Sequence, residues 1–286
     1  MPPIVLTTEW CCRDCARYLA RYPKTSGGER ILKFCVLASS SSGNCTFIGT
    51  DSTRVLIDAG LSKRETQTRL QAIGESLETI DAILVTHEHS DHVAGLPVLS
   101  RATKKPIFCT EQTASVIDWN NVPSKVISFQ AGTGFAIGDL EIGTFTIPHD
   151  AIDPVAYTVA TQGVRAAVVT DLGYVPDSVK MHLRGIDLLL FESNHNLEML
   201  KAGPYPWSIK QRIMGRRGHL SNDAAFDFIT TDMDNSVSTL ILGHLSENTN
   251  YPSLVEQMAG QALESRGLRL RAHIAEPGRQ SPVFTY

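Results

Sequence analysis

Residues 82–92 read AILVTHEHSDH: an apolar, β-branched run, then three histidines and an aspartate crowded into 87–92. The first five residues have the composition of a buried strand. His87 and His89 stand two apart, so extended backbone sends both imidazoles to one side, and Asp91 prolongs that row until a helix opens at His92. Imidazole and carboxylate are the donors that borderline divalent ions prefer. So dense a polar group directly after an apolar strand is too costly for an ordinary turn.

Outward from this string the pattern is strand-rich. LKFCVLA (32–38), CTFIGT (45–50) and RVLIDAG (54–60) precede it, and a helix opened by the Ser62-to-Glu65 capping box runs to Gly74. Further strands are expected at 106–110, 125–129, 135–147, 154–161, 164–170, 186–192, 238–244 and 268–275. Helices are expected at 93–103, 177–184, 221–232 and 253–266, the last with a second capping box from Ser253 to Glu256. Two β-rich stretches, each joined to helices, predict two sheets packed face to face with helices outside, an α/β four-layered αββα sandwich. Residues 1–30 end in the breaker cluster TSGGE and are set apart as an N-terminal extension, with one domain over 31–286. The extension holds WCCRDC (10–15), whose C-x-x-C lacks the second donor pair a metal knuckle needs.

Other donors recur at predicted strand ends. His149 ends FTIPHD, Asp171 ends AAVVTD and His244 ends TLILGH. Each alone is an ordinary loop residue. Together they lie at the same end of their strands as His87, so one rim of the sandwich can gather them.

These features resemble the metallo-β-lactamase superfamily over about residues 31–286: the H-x-H-x-D-H string, Asp58 in VLIDAG, and His149, Asp171 and His244. ASSSSGN (38–44), LIDAGLS (56–62), FESNHN (191–196), GHLSND (218–223) and GHLSEN (243–248) resemble more narrowly its YycJ/WalJ-type hydrolases, relatives of ribonuclease Z. The resemblance implies a metallo-β-lactamase sandwich with two divalent ions, zinc first and manganese or iron as alternatives. His87, His89 and His149 would hold one ion, Asp91, His92 and His244 the other, and Asp171 would bridge them. It further implies a phosphodiesterase that uses a metal-bridging hydroxide, a 5′-to-3′ exonuclease acting on DNA rather than RNA. A small-molecule phosphodiesterase or a glyoxalase II-like thioester hydrolase has the same ligands and stands as the alternative.

A leaving alkoxide needs a proton. By the order seen in ribonuclease Z-like enzymes, His219 is the general acid and Glu192 its partner, with Asp91 orienting the attacking hydroxide. Two other readings of His219 stay open: scaffolding at a helix start capped by Ser221, or an exchange of roles with His244. Asp58, Asn44 and Asn194 are expected to brace ligands or meet substrate. Lys201, Lys210, Arg212, Arg216 and Arg217, near Tyr205 and Trp207, form either a nucleic-acid track or a solvated face.

Over 286 residues the chain is 42% hydrophobic and 20% charged, which excludes disordered and fibrous classes. Its net charge of -4 would repel a nucleic-acid backbone in bulk, so metal ions or a local basic patch must supply the attraction. No apolar run is long enough to span a bilayer, no secretory signal is evident, and the expected setting is cytoplasmic. Oligomeric state is not legible.

Overall fold

Phe34 and Val36 face one apolar layer, while Cys35 and Leu37, alternating with them, face another. A strand buried on both sides needs cover on both sides, which explains why these strands read as continuous apolar runs. The computed structural model describes residues 6–7 and 32–286. Its first half comprises β1 (Leu6–Thr7), β2 (Lys33–Ala38), β3 (Cys45–Gly49), β4 (Arg54–Ile57), α1 (Lys63–Ala72), β5 (Ala82–Leu84), α2 (Ser90–Val93), α3 (Leu96–Thr103), β6 (Ile107–Thr110), α4 (Glu111–Val116) and β7 (Val126–Phe129). There follow β8 (Gly134–Ile137), β9 (Leu140–Thr146), β10 (Val155–Thr161), β11 (Val164–Val169), α5 (Asp177–His182), β12 (Leu188–Glu192), α6 (Leu197–Ala202) and α7 (Trp207–Met214). The chain closes with α8 (Asn222–Thr231), β13 (Thr239–Gly243), α9 (Pro252–Ser265), β14 (Ala272–Ile274) and β15 (Phe284–Thr285).

Two sheets result, ordered β1-β8-β9-β10-β11-β12-β13-β14 and β15-β2-β3-β4-β5-β6-β7. Each is antiparallel at one side and parallel at the other, from β11 to β14 in the first and β4 to β7 in the second. Phe34, Val55, Phe108, Tyr157, Val168 and Leu190 meet between the sheets. Leu189, Phe191, Phe228 and Val255 fill the layer under the second-half helices, and Leu56, Leu70, Ile83 and Leu99 that under the first-half helices. This is the αββα sandwich. Tyr157 hydroxyl donates to the Val85 carbonyl at 2.8 Å, so the sheets are also joined just before the histidine string.

Several local expectations need correction. The predicted strand 135–147 is two, β8 and β9, turned at Gly138, whose φ of 58° suits glycine. The helix expected from 93 begins at Ser90, with His89 as its N-cap, and breaks before Leu96. Asp91 therefore lies in a helical turn and does not extend the row of His87 and His89. Ser62 caps α1 as expected, its hydroxyl accepting from Glu65 N, but α9 starts at Pro252, so Ser253 is inside the helix. The short helices α4, α6 and α7 have too few turns for a periodic signal. The CCRDC cluster lies outside the described residues. Among the described residues no helix is long and apolar enough to cross a membrane.

Candidate metal centre

β4, β5, β11, β12 and β13 end at one edge of the sandwich, and β9, antiparallel to β10 and so parallel to β11, ends there too. Chain leaving these ends carries Asp58, His87–His92, Asp171, Glu192, His244 and His149. Open α/β sheets place their ligand sites at this edge. Asp58, Asp171 and His244 have φ of 64°, 64° and 56°, the left-handed region that non-glycine residues rarely enter. Each turns the chain sharply within two residues of its strand, so the side chain points over the sheet edge.

The seven side chains read as donors converge. Ligand atoms of His87, His89 and His149 lie within 4.8 Å of one another, as do those of Asp91, His92, Asp171 and His244. Asp171 reaches both sets, with Oδ2 3.4 Å from His92 Nε2 and Oδ1 4.0 Å from His149 Nε2. A third group joins Asp171, Glu192, His219 and His244.

Oxygen acceptors orient the rings. Nδ1 of His87 lies 3.0 Å from Thr86 Oγ1, that of His92 2.8 Å from Asp58 Oδ2, that of His149 3.0 Å from the Gly218 carbonyl, and that of His244 2.9 Å from Glu192 Oε1. With N–H at Nδ1, each ring presents its Nε2 lone pair to the shared space. His89 is turned the other way, its Nδ1 3.2 Å from His149 Nε2.

Protonation follows this arrangement. Burial, together with neighbouring His92, holds His87 well below the ordinary histidine value, and burial lowers His149 as well, a direction that favours the neutral ring a metal would need. Burial also opposes charge on His244, but Asp171, Asp91 and Glu192 outweigh it and push its pKa up to about 10. The carboxylates thus demand positive charge, whether from protons or from metal. A metal fits better. Nε2 of His87 and of His244 and Oδ2 of Asp171 are buried without a hydrogen-bond partner, a cost that coordination removes.

Bracing residues surround the donors. Asp58 accepts from Thr86 N at 2.8 Å while holding His92. Asn44 Nδ2 donates to Asp91 Oδ2 at 3.1 Å and stands 3.1 Å from His92 Nε2. Asn194 Nδ2 donates to the His244 carbonyl at 2.7 Å. Glu192, fully buried, places Oε1 2.9 Å from Nδ1 of both His219 and His244, while Oε2 accepts from Leu172 N. Burial raises the Glu192 carboxyl, but the two imidazoles prevail and hold it at about 2. His244 is sealed in, whereas the His219 side chain is 23% exposed, at the mouth of the site.

Sequence reasoning missed three contributors. Thr86 Oγ1 bridges Asp58 and His87, and Ser39 Oγ accepts from His244 N at 2.8 Å. Asp150, beside His149, has Oδ1 3.4 Å from that ring and 3.8 Å from His89 Nε2, with Oδ2 bound by Arg212. Thr86 ends the quoted apolar run and Ser39 opens the Ser/Gly loop, but neither type signals a role by itself. Of the basic residues left open as a nucleic-acid track or a solvated face, Lys210 is buried and donates to the Lys201 carbonyl, and Lys201 pairs with Glu198.

Residues 53–245 match the family described as "Beta-lactamase superfamily domain". "Exodeoxyribonuclease YycJ" of Bacillus anthracis is 38% identical over 239 residues, 82% of this chain and 90% of that protein. "Exodeoxyribonuclease WalJ" of Streptococcus pneumoniae serotype 2 is 34% identical over 261 residues, 88% of this chain and 97% of that protein. Zn(2+)-bound PqqB from Methylobacterium extorquens, 16% identical, shares the fold with a TM-score of 0.65 over 87% of this chain and 99% of its own. By sequence and by architecture, the chain belongs to the metallo-β-lactamase superfamily, alongside the YycJ and WalJ proteins.

Proposed function

We propose that the chain is a two-metal phosphodiesterase that releases nucleotides from the 5′ end of a DNA strand. The observation that carries the reading is the pair of adjoining donor sets that meet at Asp171, with buried ligand atoms lacking a hydrogen-bond partner. Similarity to two proteins named as exodeoxyribonucleases, over most of both chains, directs it to DNA. His87, His89 and His149 would hold one ion and Asp91, His92 and His244 the other, with Asp171 shared. Zinc suits this donor set first, with manganese or iron as alternatives. Bound there, divalent ions would supply charge for the phosphoryl oxygens and make water acidic enough to attack phosphorus near neutral pH.

The chain's own residues do the rest. The Asp91 side chain, 20% exposed, is accessible where the buried Asp171 is not, and it orients the attacking water. His219 donates its proton to the leaving O3′. Glu192 fixes the His219 ring through Nδ1, so that Nε2 faces away from the carboxylate. Asn44, Asp58 and Asn194 keep the donors in place.

To test this, metal per chain is counted and the loaded protein is offered 5′-labelled DNA, RNA of the same sequence, bis(p-nitrophenyl) phosphate and S-lactoylglutathione. Mononucleotides released from the 5′ end of DNA ahead of RNA are expected. Turnover of the thioester alone would replace the reading with the acyl-hydrolase alternative.

A further inference from the structure

A cavity of about 520 Å³ lies against the centre and shares His149 with it, bounded also by Ile152, Asp153, Tyr174, Arg216 and Arg217. Its size is that of a small-ligand site. The Arg216 guanidinium lies 4.1 Å over the Tyr174 ring, and its side chain makes no hydrogen bond or ion pair among the described residues. The pairing is built into the backbone. Gly173 packs so closely on residue 216 that a Cβ there would lie 2.4 Å from the Arg216 carbonyl carbon. Arg217 is anchored, its Nε donating to the His149 carbonyl at 3.0 Å and its Nη2 to that of Ala151 at 3.4 Å. Ile152 adds an apolar wall that is 45% exposed. Two guanidinium groups against one carboxylate, Asp153, leave the lining positive.

We infer that this cavity binds the terminal nucleotide on the leaving side of the diester, its 5′-phosphate on Arg216 and its base against the Arg216–Tyr174 platform. The inference rests on the nuclease reading above. Arginine suits phosphate through its planar fork of donors, and aromatic rings with arginine suit a stacked base. The side of the diester follows from the chain. Arg216 and Arg217 stand on the same short segment as His219, and the His149 and His219 rings are 5.2 Å apart. In hydrolysis the oxygen of water joins phosphorus and the water gives up a proton to solvent, the P–O3′ bond breaks, and O3′ takes the proton from His219, which regains one from solvent. The nucleoside bearing that O3′ is therefore the one beside the 216–219 segment. On the 5′-end reading proposed above, that nucleoside is the 5′-terminal one.

The test is calorimetric titration of metal-loaded protein with 2′-deoxyadenosine 5′-monophosphate. R216A and Y174A are each expected to weaken binding at least tenfold, while R101A, which removes a remote exposed arginine, matches the wild type. No binding to the wild type, or equal binding to R216A and Y174A, overturns the assignment. Failure of the nuclease reading shows separately, as labelled DNA left intact by protein that still binds the mononucleotide through Arg216.

Discussion

Asp58 touches none of the substrate's expected positions, yet it decides which nitrogen of His92 is available. Its Oδ2 occupies Nδ1, leaving Nε2 for the centre, and its Oδ1 accepts from Thr86 N. Asp58→Ala strands Thr86 N in the interior and takes away the carboxylate that Thr86 Oγ1 and His92 Nδ1 share. Metal affinity should fall about 10- to 100-fold in a chelator-competition titration, with stability lower by about 1–3 kcal/mol. An unchanged affinity would show that His92 needs no such partner. His219 and Asp91 separate differently. His219→Ala should keep its metal and lose about 10²- to 10⁴-fold in kcat on DNA, with a smaller loss on bis(p-nitrophenyl) phosphate, whose leaving group needs no proton. Asp91→Ala should lose metal together with turnover on both substrates. Metal loss in His219→Ala would make that residue a ligand. The structure explains why sequence order left His219 and His244 exchangeable: one oxygen of Glu192 serves both rings, and burial distinguishes them.

At the level of elements, the centre depends on how closely three loops approach. Gly60, after β4, lies where a Cβ would come within 1.7 Å of the Asp91 carbonyl oxygen and 2.6 Å of Asn44 N. Gly60 N donates to the Asn44 carbonyl and Asn44 N to the Asp91 carbonyl, so three loops share one seam. Gly60→Ala must push the 89–92 turn outward. The expected loss is about 1–3 kcal/mol in denaturant unfolding, the cost typical of overpacking, together with weaker metal binding, because Asp91 and His92 ride on that turn. Full metal affinity in the variant would show that the seam yields without moving the donors.

For the whole molecule, hairpins at one end tie sheet to sheet. Thr50 Oγ1, between β3 and β4, donates to Asp139 Oδ1 between β8 and β9 at 2.9 Å, and Asp139 N donates to Thr53 Oγ1 at 3.3 Å. Burial raises the Asp139 carboxyl, but hydrogen bonds from Thr53, Thr50 and Ser52 more than offset that and hold it below the usual range. A carboxyl lowered in the folded state stabilises above its unfolded pKa, and that contribution disappears as pH falls through the folded value. Asp139→Asn should therefore cost about 0.5–1 kcal/mol at neutral pH, a figure reduced for solvent exposure. The gap from wild type should close on acidification below pH ~4, and a gap constant from pH 7 to 3 would exclude the ionic contribution.

Much of this protein is written locally. Apolar strand runs, the dense His/Asp string after 82–86, and further donors after 147, 170 and 243 follow from residue type and order, because strand burial and metal chemistry each demand particular side chains. Other features exist only once the chain is folded. The left-handed backbone at Asp171 and His244, the helical turn that carries Asp91, the sharing of Glu192 by two rings and the meeting of Tyr174 with Arg216 all involve partners distant in sequence. Local propensity is blind to such contacts, since a few buried hydrogen bonds and close backbone approaches fix them after the sheets have packed.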